Sequence, residues 1–239
     1  SSLVSGVEVS PDPDMGYSFS QTYIVNSKAG HVVIFGNGYE STNGRAVLFA
    51  LDTDGNELAR IDTGVGEPDP TNKNCNGLST PALVDVNFDG LVDYAYAGDL
   101  LGNLWKFDLT DDDPANWKVS YNVNTDGSGD PRSLFQAVNK RGKRQHITSR
   151  PDVMMPCGPF QKGYLVVVST GRYVGSDDFA DITVKSVYGV WDWQDAWGAN
   201  GADKYLGYLG APDATEFRQL SNIPNLVSSL YVDKLTFQE

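Results

Sequence analysis

The sequence predicts an all-β protein with a β-propeller-like fold, made of repeated four-stranded blades in a partial or modified propeller. Its apolar runs are short, rich in β-branched and aromatic residues, and bounded by glycine, asparagine and aspartate, and the 239 residues include 25 glycines. Helical periodicity is not sustained over three turns anywhere in the chain. A plain β-sandwich is the alternative fold.

The second observation is a pattern that recurs three times, in residues 20–52, 79–109 and 148–193. Each copy begins with Ser or Thr and continues with a short strand, a turn, a central apolar strand and a third strand. Repetition at a period of tens of residues is typical of propeller blades. The central strand is apolar almost throughout, so we expect neighbouring blades to cover both of its faces.

The repeats predict one β-propeller-type domain over residues 1–239. Propellers usually close with about four to eight blades. Because the chain has three clear repeats and a weaker tail at 203–239, we expect it to be part of a longer propeller. The polar segment at about 110–146 is predicted to be an insertion. "TDGN" at 53–56 predicts a hairpin with a type I′ turn.

The amino-acid composition excludes some classes of binding partner. Hydrophobic residues make up 40% of the chain, as in a folded protein, and the net charge is −13. Such a surface repels polyanions, so nucleic acid is not an expected partner, and the basic run "KRGKR" at 140–144 is interpreted as a solvated loop. No apolar stretch approaches the roughly 20 residues that span a bilayer, and the first residues do not form a signal-peptide pattern.

Nothing in the sequence predicts catalysis. His31 and His146 lie far apart, and there is no nucleophile-elbow, zinc-protease or phosphate-loop motif. Cys75 and Cys157 do not form a CxxC motif, and they suit either one disulfide or two buried thiols. We therefore expect no catalytic residue and no enzyme activity.

The strongest motif is "DVNFDGLVD" at 85–93, which predicts a calcium site. Calcium takes about six to eight hard oxygen ligands, and a tightly turning loop presents alternate side chains inward. Gly90 stands at position 6, where a sharp turn needs glycine. The predicted ligands are the side chains of Asp85, Asn87, Asp89 and Asp93 and the backbone carbonyl of Leu91.

The loop is not an EF-hand, because position 12 is Tyr96 rather than a bidentate glutamate. A Ca²⁺ ion would offset most of the repulsion among the three carboxylates. The alternative interpretation is a turn whose Asp and Asn side chains bond to their own backbone without a metal.

Several segments together resemble the C-terminal propeller of the PilY/PilC family of type IV pilus biogenesis and tip-adhesin proteins. The most specific is the run at 77–109, which contains the predicted calcium loop. The others are "VVIFGNGYES" (32–41), "QHITSRPDV" (145–153), "STGRYVGSDD" (169–178) and "VYGVWDW" (187–193). His146 is a departure, since many members have proline there.

The resemblance implies a calcium-binding protein at the cell surface, outer membrane or pilus tip, or a secreted one. It implies roles in pilus assembly, in the balance of extension and retraction, and in adhesion. The expected partners are minor pilins or a pilus tip complex and a host or abiotic surface. The family's ligand positions match Asp85, Asn87, Asp89, Leu91 and Asp93 of this chain. The chain has no Arg-Gly-Asp tripeptide.

Two other functions stay open at this point. "GNLWKFDL" at 102–109 resembles the blade-closing motif of quinoprotein dehydrogenases, although those enzymes draw calcium ligands from distant parts of the chain. Trp191, Trp193 and Trp197 would suit a carbohydrate-binding propeller, although core packing is the more common fate of such residues.

Overall fold

The computed structural model describes residues 2–4, 7–9, 12–68, 75–122, 129–139, 142–155, 163–173 and 185–192, with the single positions 178, 181 and 183. Almost all regular structure in these residues is antiparallel sheet, which confirms the all-β prediction. No helix among them is long and apolar enough to cross a membrane.

Blade 1 is a four-stranded antiparallel sheet in sequence order. Its strands are β3 (Tyr23–Ser27), β4 (Gly30–Gly36), β5 (Val47–Leu51) and β6 (Glu57–Asp62). The predicted hairpin joins β5 to β6, but the type I′ turn is wrong. The Asp52 N–H donates to the Asn56 carbonyl at 2.8 Å, and the loop is longer than two residues. Gly55 has φ 89° whereas Asp54 does not have a positive φ, so one residue rather than two is left-handed.

Blade 2 has the same order of strands, but its outer strand is in two pieces. The strands are β7 (Ala82–Val84), β8 (Tyr94–Gly98), β9 (Asn103–Asp108), β10 (Lys118–Val119) and β13 (Phe135–Gln136). Both β10 and β13 pair with β9, one with each half of it. A small hairpin of β11 (Tyr121–Asn122) and β12 (Pro131–Arg132) lies between them. Part of the predicted 110–146 insertion therefore completes this sheet.

Blade 3 is described as three antiparallel strands, β14 (Asp152–Met154), β15 (Tyr164–Ser169) and β16 (Val187–Asp192). A separate pair, β1 (Ser2–Val4) and β2 (Val7–Val9), lies near the start of the chain. The three blades correspond to the three predicted repeats. The tail at 203–239 lies outside the described residues.

Blade 2 is buried on both faces, as its nearly continuous apolar strands predict. Along β8, Ala95 and Ala97 belong to a core shared with blade 1, while Tyr96 belongs to a core shared with blade 3. The same alternation places Trp105 of β9 against blade 1 and Leu104 against blade 3. One strand pattern therefore fills two cores, and burying this apolar surface holds the three blades together.

Buried polar side chains fix how one blade joins the next. Asn37 follows β4 and is fully buried; its Oδ1 accepts the N–H of Val47 at 3.1 Å and of Leu78, at the start of blade 2, at 2.9 Å. Asp99 follows β8 in the same way and accepts N–H groups from Asn103 and Trp105 at 2.8 Å. These bonds satisfy groups that would otherwise be buried unpaired.

One ion pair lies inside the core between blades 2 and 3. The Lys106 ammonium and the Asp192 carboxylate are 2.8 Å apart, and both side chains are almost completely buried. The hydroxyls of Tyr96 and Tyr121 also donate to this carboxylate, at 2.5 and 2.7 Å. Burial alone would raise the pKa of Asp192, but the ammonium and the hydrogen bonds hold this pKa below its ordinary value.

Replacing Lys106 by methionine removes the ammonium that pairs with the buried Asp192 carboxylate, so we expect a loss of about 3–5 kcal/mol of folding stability at pH 7. In the unchanged chain the pair's contribution is complete above about pH 4 and is lost as the pH falls through the depressed pKa of Asp192. In Lys106→Met, burial instead raises that pKa, and protonation relieves the penalty. Urea unfolding should therefore show a smaller loss of stability from Lys106→Met at about pH 4 than at pH 7.

The matched control is Lys118→Met, at an exposed position of β10, which should change stability by less than about 0.5 kcal/mol. A Lys106→Met penalty that is equally large at both pH values would contradict this account of the pair.

Candidate calcium loop

The predicted ligands lie in the loop that connects β7 to β8, between the first and second strands of blade 2. One end of the loop also contacts blade 1, where the Val92 N–H donates to the Asn26 carbonyl at 2.8 Å. The structure thus places the loop where blades 1 and 2 meet.

Asp85 fixes the first half of the loop. Its Oδ1 accepts the Phe88 N–H at 2.7 Å, and its Oδ2 accepts the Gly90 N–H at 2.8 Å. Two residues within this turn have left-handed backbone, Phe88 at φ 61° and Gly90 at φ 86°. Glycine adopts this region freely, whereas phenylalanine does so at a cost.

The second half of the loop repeats this type of bond. Asn87 Oδ1 accepts the Asp89 N–H at 3.0 Å, and its Nδ2 donates to Asp89 Oδ2 at 2.9 Å. Asp89 Oδ1 in turn accepts the Leu91 N–H at 2.9 Å. Asn87 and Asp89 are exposed, so they can exchange water for another ligand.

Asp93 differs from the other predicted ligands because it is buried, with 6% of its surface exposed. Its Oδ2 accepts the Val86 N–H at 2.8 Å, while the described residues provide no donor for Oδ1 and no cation within ion-pair distance. A carboxylate oxygen without a protein donor is free to bind a cation. Asp93 Oδ1 is therefore the predicted ligand atom that the protein leaves available.

The donor set fits a hard divalent cation. It consists of three carboxylates, one side-chain amide oxygen and the Leu91 carbonyl, all of them oxygen ligands of the type that calcium prefers. Each bonded carboxylate oxygen accepts one N–H and keeps a further lone pair. Among the described residues, no three His, Cys, Asp or Glu side chains already converge as a metal-binding group. The bonds present are those of the alternative, metal-free turn, so the calcium site stays a prediction.

The remaining candidates occupy separate places. His31 is exposed on β4, and the His146 ring contacts the Leu100 carbonyl in the segment that precedes blade 3. Cys75 is buried, but Cys157 lies outside the described residues, so the disulfide stays a prediction.

Two polar contacts were not predicted from the sequence, the Lys106–Asp192 ion pair and the hydrogen bond of Arg150 to Tyr23. A lysine within the apolar run "GNLWKFDL" was the available signal for the first. Arg150 contacts Tyr23 across 127 positions of sequence, and no local pattern indicates such a contact.

Comparison with protein families gives a match over most of the chain. A family model described as the PilY1 beta-propeller domain matches residues 6–207. The chain belongs to this family. The match confirms both the predicted resemblance and the predicted propeller-type fold.

Curated relatives are much longer than this chain. A type IV pilus biogenesis factor PilY1 homolog of Xylella fastidiosa is 44% identical over 187 residues, which cover 76% of this chain and 12% of that protein. The type IV pilus biogenesis factor PilY1 of Pseudomonas aeruginosa strain UCBPP-PA14 is 38% identical over 205 residues, 77% of this chain and 17% of that protein. The chain therefore spans less than a fifth of these relatives.

A solved structure supports the fold directly. The crystal structure of the P. aeruginosa PilY1 C-terminal domain is similar with a TM-score of 0.66 and 35% identity, over 80% of this chain and 40% of that one. These relatives carry the names of pilus biogenesis factors rather than of dehydrogenases or lectins. The side chains of Trp191, Trp193 and Trp197 lie outside the described residues, so a carbohydrate site there stays untested.

Relieving the strained backbone at Phe88 should stabilise the loop. Because the Phe88 side chain is 72% exposed, Phe88→Gly removes little packing while allowing φ 61° at no steric cost. We expect a gain of about 0.5–1 kcal/mol in urea unfolding. The control Phe88→Ala removes the same ring but keeps the strain, so it should not gain. An equal gain in both variants would trace the effect to the exposed ring.

Proposed function

We propose that this chain is the propeller portion of a type IV pilus biogenesis protein that acts outside the cytoplasm, at the cell surface or pilus tip. Its role is assembly and adhesion rather than catalysis, and its partners are minor pilins or a tip complex and the surface that the pilus contacts. Support comes from the family match over residues 6–207 and from the pilus biogenesis names of the relatives.

We further propose that loop 85–93 binds one Ca²⁺ ion. The observation that carries this is Asp93, a carboxylate that is 6% exposed and has one hydrogen bond and no cationic partner among the described residues. Asp85, Asn87, Asp89 and the Leu91 carbonyl would complete the ligand set. The ion supplies positive charge that offsets repulsion among the three carboxylates.

The position of the loop suggests how calcium affects the protein. The backbone of Asp93 bonds to Val84 of β7 through its N–H and to Leu109, just after β9, through its carbonyl. Val92 bonds to blade 1 at Asn26. Ordering the loop therefore stiffens the junction of blades 1 and 2. A partner that docks there would bind with a different affinity when calcium is present. Calcium would in this way regulate the balance between pilus extension and retraction.

Removing calcium should lower the melting temperature of the chain. A ligand that binds the folded state at about a hundredfold excess over its Kd stabilises that state by about 2.7 kcal/mol. We expect EGTA to remove this stabilisation, and we expect Asp85→Ala with Asp89→Ala to melt at the same temperature with and without EGTA. Differential scanning calorimetry measures both effects.

The matched control is Asp111→Ala with Asp113→Ala. These carboxylates also accept backbone N–H groups in an exposed turn, at 2.9 and 3.0 Å, but they lie outside the proposed site. This control should keep the full response to EGTA. An unchanged melt of the unmodified chain in EGTA would rule out the calcium site.

The pilus role is tested in the bacterium that encodes the chain. Deleting the whole gene should abolish surface pili, measured by electron microscopy and by retraction-dependent motility. Restoring the gene with Asp85→Ala and Asp89→Ala should return pili whose extension no longer responds to calcium. Normal pili in the deletion strain would contradict the pilus assignment, and an unaltered calcium response in the double variant would contradict the regulatory one.

A further inference from the structure

Two exposed aromatic residues lie close together in the segment that leads into blade 1. The side chains of Tyr17 and Phe19 are 67% and 64% exposed, and their Cα atoms, two positions apart, lie within about 7 Å of each other. The surrounding sequence, "YSFSQTY" at 17–23, alternates large side chains with small hydroxyl-bearing ones. We call residues 17–23 the aromatic strip. Single exposed apolar side chains are common, but neighbouring ones mark an interaction surface.

The strip is fixed in place by Tyr39, which follows β4. The Tyr17 N–H donates to the Tyr39 carbonyl at 2.6 Å, and the Tyr39 N–H donates to the Tyr17 carbonyl at 3.1 Å. The ring of Phe19 stacks on the ring of Tyr39, with centroids 5.7 Å and planes 29° apart. Tyr39 is itself 3% exposed, and its hydroxyl donates to the Thr148 carbonyl at 3.4 Å. A surface fixed in this way loses little conformational freedom on binding.

The backbone of the strip is already engaged, so a ligand must contact side chains. The N–H groups of Tyr17 and Phe19 donate to carbonyl groups of the protein at 2.6 and 3.0 Å. The Gln21 N–H donates to the Thr80 hydroxyl at 3.0 Å. A peptide that adds as a strand needs such main-chain groups. The exposed groups are instead aromatic rings, hydroxyls and the Gln21 amide, whose Nε2 has no acceptor among the described residues.

The strip is uncharged, although the chain has a net charge of −13. The charged residues beside it have opposite signs, since Glu40 follows Tyr39 and Arg150 Nη1 donates to the Tyr23 hydroxyl at 3.1 Å. An anionic polymer gains no net attraction here and is repelled by the rest of the chain. Polar side chains interrupt the rings, so the strip is not a continuous apolar face for a lipid surface.

We propose that the aromatic strip binds a neutral, β-linked polysaccharide chain. The C–H faces of flat sugar rings pack on aromatic rings, because the negative face of the aromatic ring attracts the C–H groups. The Gln21 amide and the neighbouring hydroxyls provide hydrogen bonds for sugar hydroxyl groups. An extended β-linked chain presents one C–H face after another, as a row of rings requires. The site would serve the proposed adhesion role, on which its biological meaning rests.

Saturation-transfer NMR measures this contact directly. The 239-residue chain is mixed with cellohexaose or chitohexaose, two neutral β-linked sugars, and the aromatic protons of the protein are saturated. We expect the strongest transfer to the axial C–H protons of the sugars, because these protons face the aromatic rings. The signal should rise saturably with the concentration of sugar.

Tyr17→Ala with Phe19→Ala should weaken binding at least about tenfold, because both exposed rings are removed. Tyr17→Phe with Phe19→Tyr keeps both ring faces and should bind like the unchanged chain. The matched control is Phe88→Ala, which removes a ring that is 72% exposed on the separate loop 85–93. This control should bind fully. A cooperative urea transition establishes that each variant is folded.

Absence of transfer to both sugars, or full binding by Tyr17→Ala with Phe19→Ala, would overturn the proposal. Hyaluronan hexasaccharide, which is β-linked but acidic, is tested in parallel, and tighter binding of this sugar would overturn the assignment to a neutral chain. Binding to phosphatidylcholine vesicles that is lost in the double alanine variant would assign the strip to lipid instead. If that variant does not fold, Tyr17→Ala alone decides the result.

The outcome is separable from the pilus assignment. Deletion of the gene tests the pilus role in the cell, whereas transfer to the sugars is measured on the isolated chain. Normal pili in the deletion strain would contradict the pilus role and leave a measured sugar contact standing. Absence of sugar binding would remove the site and leave the pilus role standing.

Discussion

The buried side chain of Asp93 lies where the 85–93 loop becomes β8, and it joins the loop to the sheet of blade 2. Its side chain bonds to Val86, within the loop, and its backbone bonds to Val84 and Leu109, on either side in the sheet. Its second carboxylate oxygen has no donor among the described residues, so it is available to a cation. The same residue therefore closes the loop structurally and offers an oxygen to the proposed cation.

The blades meet through a second constraint, the burial of blade 2 on both faces. Alternate residues of β8 and β9 belong to two different cores, so neither strand has a face available for solvent. Lys106 lies on the face toward blade 3, and that face accepts it because Asp192 provides the matching charge. Repeated sheets, rather than one central core, thus fix the position of loop 85–93.

Much of this arrangement could be predicted from the sequence because its signals are local. The repeated strands follow from short apolar runs. The ligand order, which rests on alternating oxygens around Gly90, stays a prediction. The turn after β5 was predicted with the wrong geometry, because Asp52 bonds to the backbone of Asn56 and lengthens the loop. The contact between Arg150 and Tyr23 joins distant blades, so it depends on tertiary packing that no local pattern encodes.

We expect one calcium ion to bind Asp93 together with the other oxygens of loop 85–93. Isothermal calorimetry on chelator-stripped chain, compared with Asp93→Asn, tests it most directly, since asparagine keeps an oxygen for the Val86 N–H and removes the charge. We expect one Ca²⁺ per unmodified chain and at least about tenfold weaker binding in Asp93→Asn. Folded chain that releases no heat on titration, or that binds calcium equally well with Asn at this position, would contradict it.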